Sequence, residues 1–299
     1  MENKINGLRF IVGSGCNYDC FYCHHEGLRQ NERIDIDDKK LDVLYNYAKQ
    51  QEIKELSITG GEPFLYWQNV KKILEKFDND KYRITLNSNF SLADKYYEPL
   101  EKINNTVEFH VNLSAVNKQT HESIINCTYL DRVLKNLEMY KDSHHKICLN
   151  ILAIKGVNDH ELLDIYNYAV SNGFYPRILT MMVVNEEDKE KVMTIDEILS
   201  LFTNPKIGQK YAHGLYKVES DEGNFEILKT ICADLECDIC AKNTFIHMTP
   251  NLDIKYCLRE EEIIPCDYTS VETLDKSFKL AQKKLVLRGQ KNESSIRGN

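Results

Sequence analysis

The sequence predicts an α/β fold: a partial (βα)6 TIM-like barrel, open on one side, with a small C-terminal auxiliary domain. Three observations predict it. Apolar, β-rich segments alternate about six times with amphipathic, charged segments. That alternation marks parallel strands joined by right-handed crossovers. Six units are too few to close an eight-fold barrel. Polar stretches rich in cysteine or glycine follow the predicted strand ends, where such folds place their sites.

The elements follow in order. Strands are predicted at Leu8–Val12, Ile53–Thr59, Tyr82–Asn87, Glu108–Leu113, Ile147–Ile154 and Arg177–Val184. Helices are predicted near Asp38–Gln51, Gln68–Phe77, Ala93–Ile103, Asp131–Lys141 and His160–Asn172. In the last, Leu162, Ile165, Tyr166 and Ala169 recur at three- and four-residue spacing, the stripe of a helix with one buried face. After about Glu186 the alternation stops, and residues 190–231 read as helix and loop. Phe245–Tyr256 reads as a hairpin turning at Thr249-Pro250-Asn251. A helix is predicted at Ser270–Leu287, then a polar, mobile tail from Gly289. The expected division is a barrel over residues 1–188, an auxiliary iron–sulfur domain over 189–288, and the tail over 289–299.

The chain has 299 residues, 42% hydrophobic and 28% charged, with a net charge of -8. This is the composition of an ordinary globular protein. The negative balance argues against broad nucleic-acid or membrane-surface binding. No apolar run approaches membrane-spanning length, and Met1-Glu2-Asn3-Lys4 opens no signal peptide. A cytoplasmic location is expected. There, ten cysteines point to metal or redox chemistry before disulfides. Cys127 and Cys148 stand apart and read as small buried hydrophobes.

Cys16, Cys20 and Cys23 lie in one short loop at Cx3CxxC spacing. Three thiolates can hold three irons of a [4Fe-4S] cluster and leave the fourth iron open to a chelating small molecule. Zinc competes poorly, because it wants four ligands. Gly60-Gly61-Glu62-Pro63 follows the second strand. Asn89, Ser114 and Lys155-Gly156-Val157-Asn158 fall at the next strand ends, so five strand ends converge on one mouth.

Cys237, Cys240 and Cys257 form a second set. A hairpin between them would return Cys257 to the pair. A second [4Fe-4S] cluster or a zinc site closed by Cys232 or Cys266 both suit it.

The cysteine loop and Gly60–Glu62 together resemble the radical S-adenosylmethionine (radical SAM) superfamily. Nearly the whole chain resembles its MoaA-type members, the GTP 3′,8-cyclases of molybdenum-cofactor synthesis. The resemblance rests on Cys16–Gly27, Ile58–Pro63, Val111–Ser114, Lys155–Asp159 and Thr249-Pro250 leading to Cys257-Leu258. It implies two [4Fe-4S] clusters and S-adenosylmethionine as cofactors. It implies reductive cleavage of S-adenosylmethionine to a 5′-deoxyadenosyl radical, which takes hydrogen from a substrate. It places Gly60, Gly61 and Glu62 at the methionine amino group, and Asn89, Ser114 and Arg177 at the ribose and carboxylate. Lys155 and Asn158 fall at substrate, and the implied reductant is a flavodoxin or ferredoxin.

This chain departs from that family where triphosphate is held. Glu55 and Ser57 stand where the family has basic residues, and Tyr66 where it has arginine. Thr244-Phe245-Ile246-His247 replaces an Arg-x-Arg pair. A tetra-anion needs several fixed cations, so a less charged small-molecule or peptide substrate is expected. The alternatives are a divergent GTP 3′,8-cyclase and a non-enzymatic iron–sulfur redox sensor.

Overall fold

The computed structural model describes residues 5–28, 34–183, 185–211, 214–229, 240 and 244–296. The six expected parallel strands form in the expected order: β1 (Ile5–Ile11), β2 (Glu55–Thr59), β3 (Arg83–Ser88), β4 (Val107–Asn112), β5 (Lys146–Ala153) and β6 (Tyr175–Thr180). Each pairs in parallel with the next. The connecting helices are α1 (Asp38–Gln50), α2 (Trp67–Lys76), the short α3 (Tyr97–Leu100), α4 (Lys118–Ile125), α5 (Leu130–Met139) and α6 (Leu162–Ser171). Each is short of a stable isolated helix and depends on its apolar face packing against the sheet.

Side chains alternate across each strand, and β4 shows the consequence. Val107, Phe109 and Val111 are buried, while Glu108, His110 and Asn112 are half-buried on the opposite face. Those three line up with Lys146, Cys148 and Asn150 on β5. The apolar face carries the core, and the other face is polar. α4 was not expected; Asn117 caps it, accepting Gln119 N–H at 2.9 Å, and Asn126 ends it in a left-handed turn.

The expectation of helix and loop over residues 190–231 is corrected. Among the described residues the only α-helix there is α7 (Ile195–Leu199), after a 3-10 turn that ends at Lys191. It precedes β7 (Lys206–Lys210), β8 (Leu215–Ser220) and β9 (Gly223–Leu228). These three run antiparallel, and β9 joins β6 in parallel. The cause is a tight turn at Asp221-Glu222, ending in Gly223 at φ 129°. It joins two strands that each alternate apolar and polar residues.

At the other edge, β10 (Thr244–Met248) runs parallel to β1, and β11 (Ile254–Lys255) folds back on it. The hairpin expected there is present. Strands from the last third of the chain therefore extend both edges of one sheet.

α8 runs from Val271 to Ile296. The segment from Gly289, expected as a tail, continues the helix for two more turns. Lys, Gln and Glu there are good helix formers, and polarity alone does not break a helix. Leu274, Phe278, Ala281 and Leu285 form its buried stripe.

Candidate active site

The loop after β1 and the loop after β2 are bonded backbone to backbone. Val12 N–H donates to Thr59 O at 2.8 Å, Gly61 N–H to Gly13 O at 2.9 Å, and Glu62 N–H to Gly15 O at 2.9 Å. A Cβ on Gly60 would lie 2.4 Å from Gly13 O, and one on Gly61 2.2 Å from Gly15 O. The two glycines thus let the cysteine loop approach. Tyr66 also holds that loop. Its ring occupies the space a Cβ on Gly13 would need, and its hydroxyl accepts Gly15 N–H at 2.7 Å.

Glu62 is turned inward and fully buried. It accepts Phe64 N–H at 2.9 Å, Ser88 Oγ–H at 2.9 Å and Asn89 N–H at 2.8 Å. Burial pushes its carboxyl up to about 7, against the pull of those three bonds. Asn89 then faces the cysteine loop. Its Nδ2 donates to Asn17 Oδ1 at 2.9 Å and lies 3.8 Å from Cys16 Sγ.

Cys16 Sγ accepts Tyr18 N–H at 3.3 Å, and Cys23 Sγ accepts His25 N–H at 3.4 Å. Burial pushes the Cys20 thiol up to about 12, beyond what the Tyr22 hydroxyl offsets. None of the three is in a disulfide. Their donor set fits a cationic iron–sulfur cluster: soft thiols on one loop, kept protonated at neutral pH until a metal displaces the proton. The same loop leaves the mouth side of the site to a ligand, where Asn89 and the β2 turn stand. Tyr22 bonds Cys20 through its hydroxyl, which also accepts Asn112 Nδ2–H at 2.7 Å.

On the far side, Ser114 and Asn158 meet. Asn158 is fully buried. Its amide donates to Ser114 O at 2.6 Å and Leu152 O at 2.7 Å, and accepts Ile154 N–H at 2.8 Å. Both amide protons are therefore spent on backbone. Ser114 Oγ accepts Leu152 N–H at 3.1 Å and donates to Asn112 Oδ1 at 3.2 Å. Lys155 is exposed and ion-paired with Glu197 of α7.

Arg177 is held by a carboxylate on β9. Its Nε donates to Glu226 Oε2 at 2.8 Å, and its Nη1 lies 3.3 Å from His110 Nε2. Arg9 and Glu26 complete the other wall. Arg9 Nη2 donates to Glu26 Oε1 at 2.7 Å, and Thr59 Oγ1–H donates to the same oxygen at 2.8 Å. Burial alone would raise the Glu26 carboxyl, but Arg9 and His24 outweigh it and hold it down to about 2.

Arg9, Glu26, His110, Asn112, Asn150 and Glu226 were not singled out from the sequence. Their signal was present in β4: Glu108, His110 and Asn112 alternate with apolar residues in a central parallel strand, where a near-continuous apolar run is the rule. In the second set, Cys237 lies outside the described residues. Cys257 follows the β10–β11 hairpin. Cys266 N–H donates to Asp253 Oδ1 at 3.0 Å. A cavity of about 400 Å³ opens at the opposite ends of the strands, lined by Glu55, Arg83, Glu108 and Lys146. Its charges are mixed, and Glu108 reaches from its lining to within 4.0 Å of Arg177.

The pattern of the radical SAM superfamily matches residues 10–169, which spans the end of β1, the cysteine loop and strands β2 to β5. The chain belongs to the radical SAM superfamily. Curated GTP 3′,8-cyclases are similar to this chain over most of its length. The GTP 3′,8-cyclase of Clostridium perfringens is 28% identical over 269 residues, covering 85% of this chain and 81% of that protein. That of Aliarcobacter butzleri is 26% identical, covering 98% and 92%. The probable GTP 3′,8-cyclase of Methanothermobacter thermautotrophicus is 22% identical, covering 85% and 84%. Among solved structures, Streptococcus suis SuiB bound to S-adenosylmethionine matches with a TM-score of 0.64 at 15% identity, covering 87% of this chain. The chain spans 63% of the length of SuiB. Native anSMEcpe with bound AdoMet and a peptide matches with a TM-score of 0.59 at 13% identity, covering 95% of this chain and 83% of that one. These likenesses fix the fold of the radical SAM chain. As a radical SAM protein it is an iron–sulfur, S-adenosylmethionine-dependent enzyme. Among the described residues no helix is long and apolar enough to cross a membrane.

Proposed function

We propose that this radical SAM enzyme abstracts hydrogen from a substrate held on the polar face of its open barrel. The observation that carries it is the bonding of Gly61 and Glu62 to the loop of Cys16, Cys20 and Cys23, which puts three thiols and a ligand-facing turn in one place. When bound, the cluster and S-adenosylmethionine supply a carbon radical able to take a hydrogen atom from an unactivated position.

The residues of the chain do the rest. Cys16, Cys20 and Cys23 hold the cluster. The Gly60–Glu62 turn receives the methionine end, and Glu62 sets Asn89 from behind. Tyr22 and Phe21 exclude water from below the loop. Ser114 and Arg177 bound the far side. Cys237, Cys240 and Cys257 are the thiols for a second [4Fe-4S] cluster. A cytoplasmic flavodoxin or ferredoxin delivers the electron.

The relatives bring one named activity, GTP 3′,8-cyclase, and GTP is the first substrate to try. A second substrate reading, a molecule of low charge, is favoured by the ion pairs that occupy Arg9, Lys155 and Arg177. The test is anaerobic reconstitution with iron and sulfide, then dithionite, S-adenosylmethionine and GTP, followed by mass spectrometry. 5′-Deoxyadenosine supports the radical reading, and its absence from a protein with full iron content overturns it. A cyclised nucleotide formed only with GTP establishes the cyclase; GTP-independent cleavage alone rejects it.

A further inference from the structure

Four cations stand on elements around the mouth, and each has a carboxylate partner. Arg9 pairs with Glu26 at 2.7 Å, Arg177 with Glu226 at 2.8 Å, and Lys191 with Asp188 at 2.8 Å. Lys155 pairs with Glu197. Arg177 also has Glu108 Oε1 at 4.0 Å. The partners come from four different elements: the cysteine loop, β9, the turn before α7, and α7 itself. Lys255, buried on β11, donates to the backbone oxygen of Glu260.

A second observation is independent of charge. Four polar atoms on this face are buried without a partner: Arg9 Nε, Glu26 Oε2, Asn150 Oδ1 and His247 Nδ1. His247 lies opposite Arg9 in the sheet, and Asn150 lies between Asn112 and Arg177. Arg9 Nε is a donor that any acceptor oxygen would meet, whereas Glu26 Oε2 and Asn150 Oδ1 are acceptors. The two acceptors need a ligand that brings N–H or O–H groups. An ionised phosphate chain offers acceptors alone, so it would leave both unsatisfied.

We infer that the substrate of this mouth is an uncharged or zwitterionic molecule rich in N–H or O–H donors, and not a polyphosphate, with Glu26, Glu197 and Glu226 as the residues that set this specificity. This rests on the radical-enzyme reading and separates its two substrate readings. Each carboxylate cancels the field its cation would present to an anion and occupies the geometry a phosphate would use. A polyphosphate would have to break several pairs and leave their carboxylates facing it.

The experiment is equilibrium binding of inorganic triphosphate, and separately of GTP, to the reconstituted holoenzyme with S-adenosylmethionine bound. The wild type is compared with Glu197→Gln, Glu226→Gln and the double variant. Unmasking Lys155 and Arg177 is expected to tighten triphosphate binding about tenfold or more in the double variant. Glu197 is part-exposed on a short helix, so Glu197→Gln tests the idea even where Glu226→Gln does not fold. Wild-type binding of triphosphate as tight as that of the variants overturns the inference. So does weak binding that no variant improves. 5′-Deoxyadenosine formation on the same preparations reports the radical chemistry separately, so loss of that reading is distinguishable from loss of this one.

Discussion

Glu62 Oε2 accepts the backbone N–H of Asn89 at 2.8 Å, so a buried carboxylate on the β2 loop fixes the strand end that faces Cys16. The family resemblance places Glu62 near the cofactor, and the geometry gives it a positioning role behind the residue that faces it.

That burial has a pH signature. The Glu62 carboxyl is raised to about 7 from the ordinary 4.5 by desolvation. A raised acid contributes stability that is present below the ordinary value and lost as pH rises through the folded one. Between about pH 5 and about pH 7.5 the apo wild type is expected to lose of order 3 kcal/mol relative to Glu62→Gln. Chemical denaturation of both proteins across that range checks it. Parallel pH curves would remove Glu62 as the titrating group.

Gly61→Ala is expected to disturb the cluster loop. The new methyl would meet Gly15 O at 2.2 Å and Ser14 O at 2.6 Å, both backbone atoms, so the loop itself must shift. Iron retained after reconstitution should fall and 5′-deoxyadenosine formation should collapse, with a stability cost of about 1–3 kcal/mol. Gly173→Ala is the control. Nothing lies within 4 Å of its Cβ, and its φ of 74° makes the change costly for stability alone.

The six parallel strands and the mouth were legible because each strand carries a strong apolar run and each motif falls directly after one. The β7–β9 extension was not. Its strands are short, β7 is exposed along its whole length, and only the Asp221-Glu222-Gly223 turn announces it. Glu226 was hidden for that reason, and with it the partner of Arg177. Lys155 was legible as a mouth residue, but its pairing with Glu197 depends on how the segment before α7 returns to the end of β5, where Val192 bridges Ile154, and no spacing encodes that. Asn158 shows a further limit. Its motif marks the loop after β5, but only the three-dimensional contacts reveal that its amide is consumed by Ser114 O and Leu152 O.

The two cysteine sets are expected to separate functionally. Cys20→Ala should abolish 5′-deoxyadenosine formation, because the loop then offers two thiols for a cluster that needs three. Cys257→Ala should keep slow, uncoupled cleavage while iron falls from about eight to about four per chain. Iron analysis beside product assays checks both. Cleavage surviving in Cys20→Ala would sink the assignment of the first set.

Phe278→Ala tests how the C-terminal helix is held. Phe278 is fully buried on α8, and its ring stacks on Tyr47 of α1 at 4.4 Å between centroids. Leu274, Ala281 and Leu285 share the stripe, but none matches its volume. Truncating a ring in such a contact costs about 3–5 kcal/mol, because the loss of transfer free energy is joined by a cavity that two helices cannot close. Leu287, 47% exposed on the same helix, should tolerate Ala within about 0.5 kcal/mol. Urea denaturation of the two variants checks the contrast. The effect should also reach the β10–β11 hairpin, since α8 packs against both of its strands. In Phe278→Ala, proteolysis near Cys257 should therefore quicken before the barrel unfolds. A neutral Phe278→Ala would mean that α8 is not docked on α1 in solution.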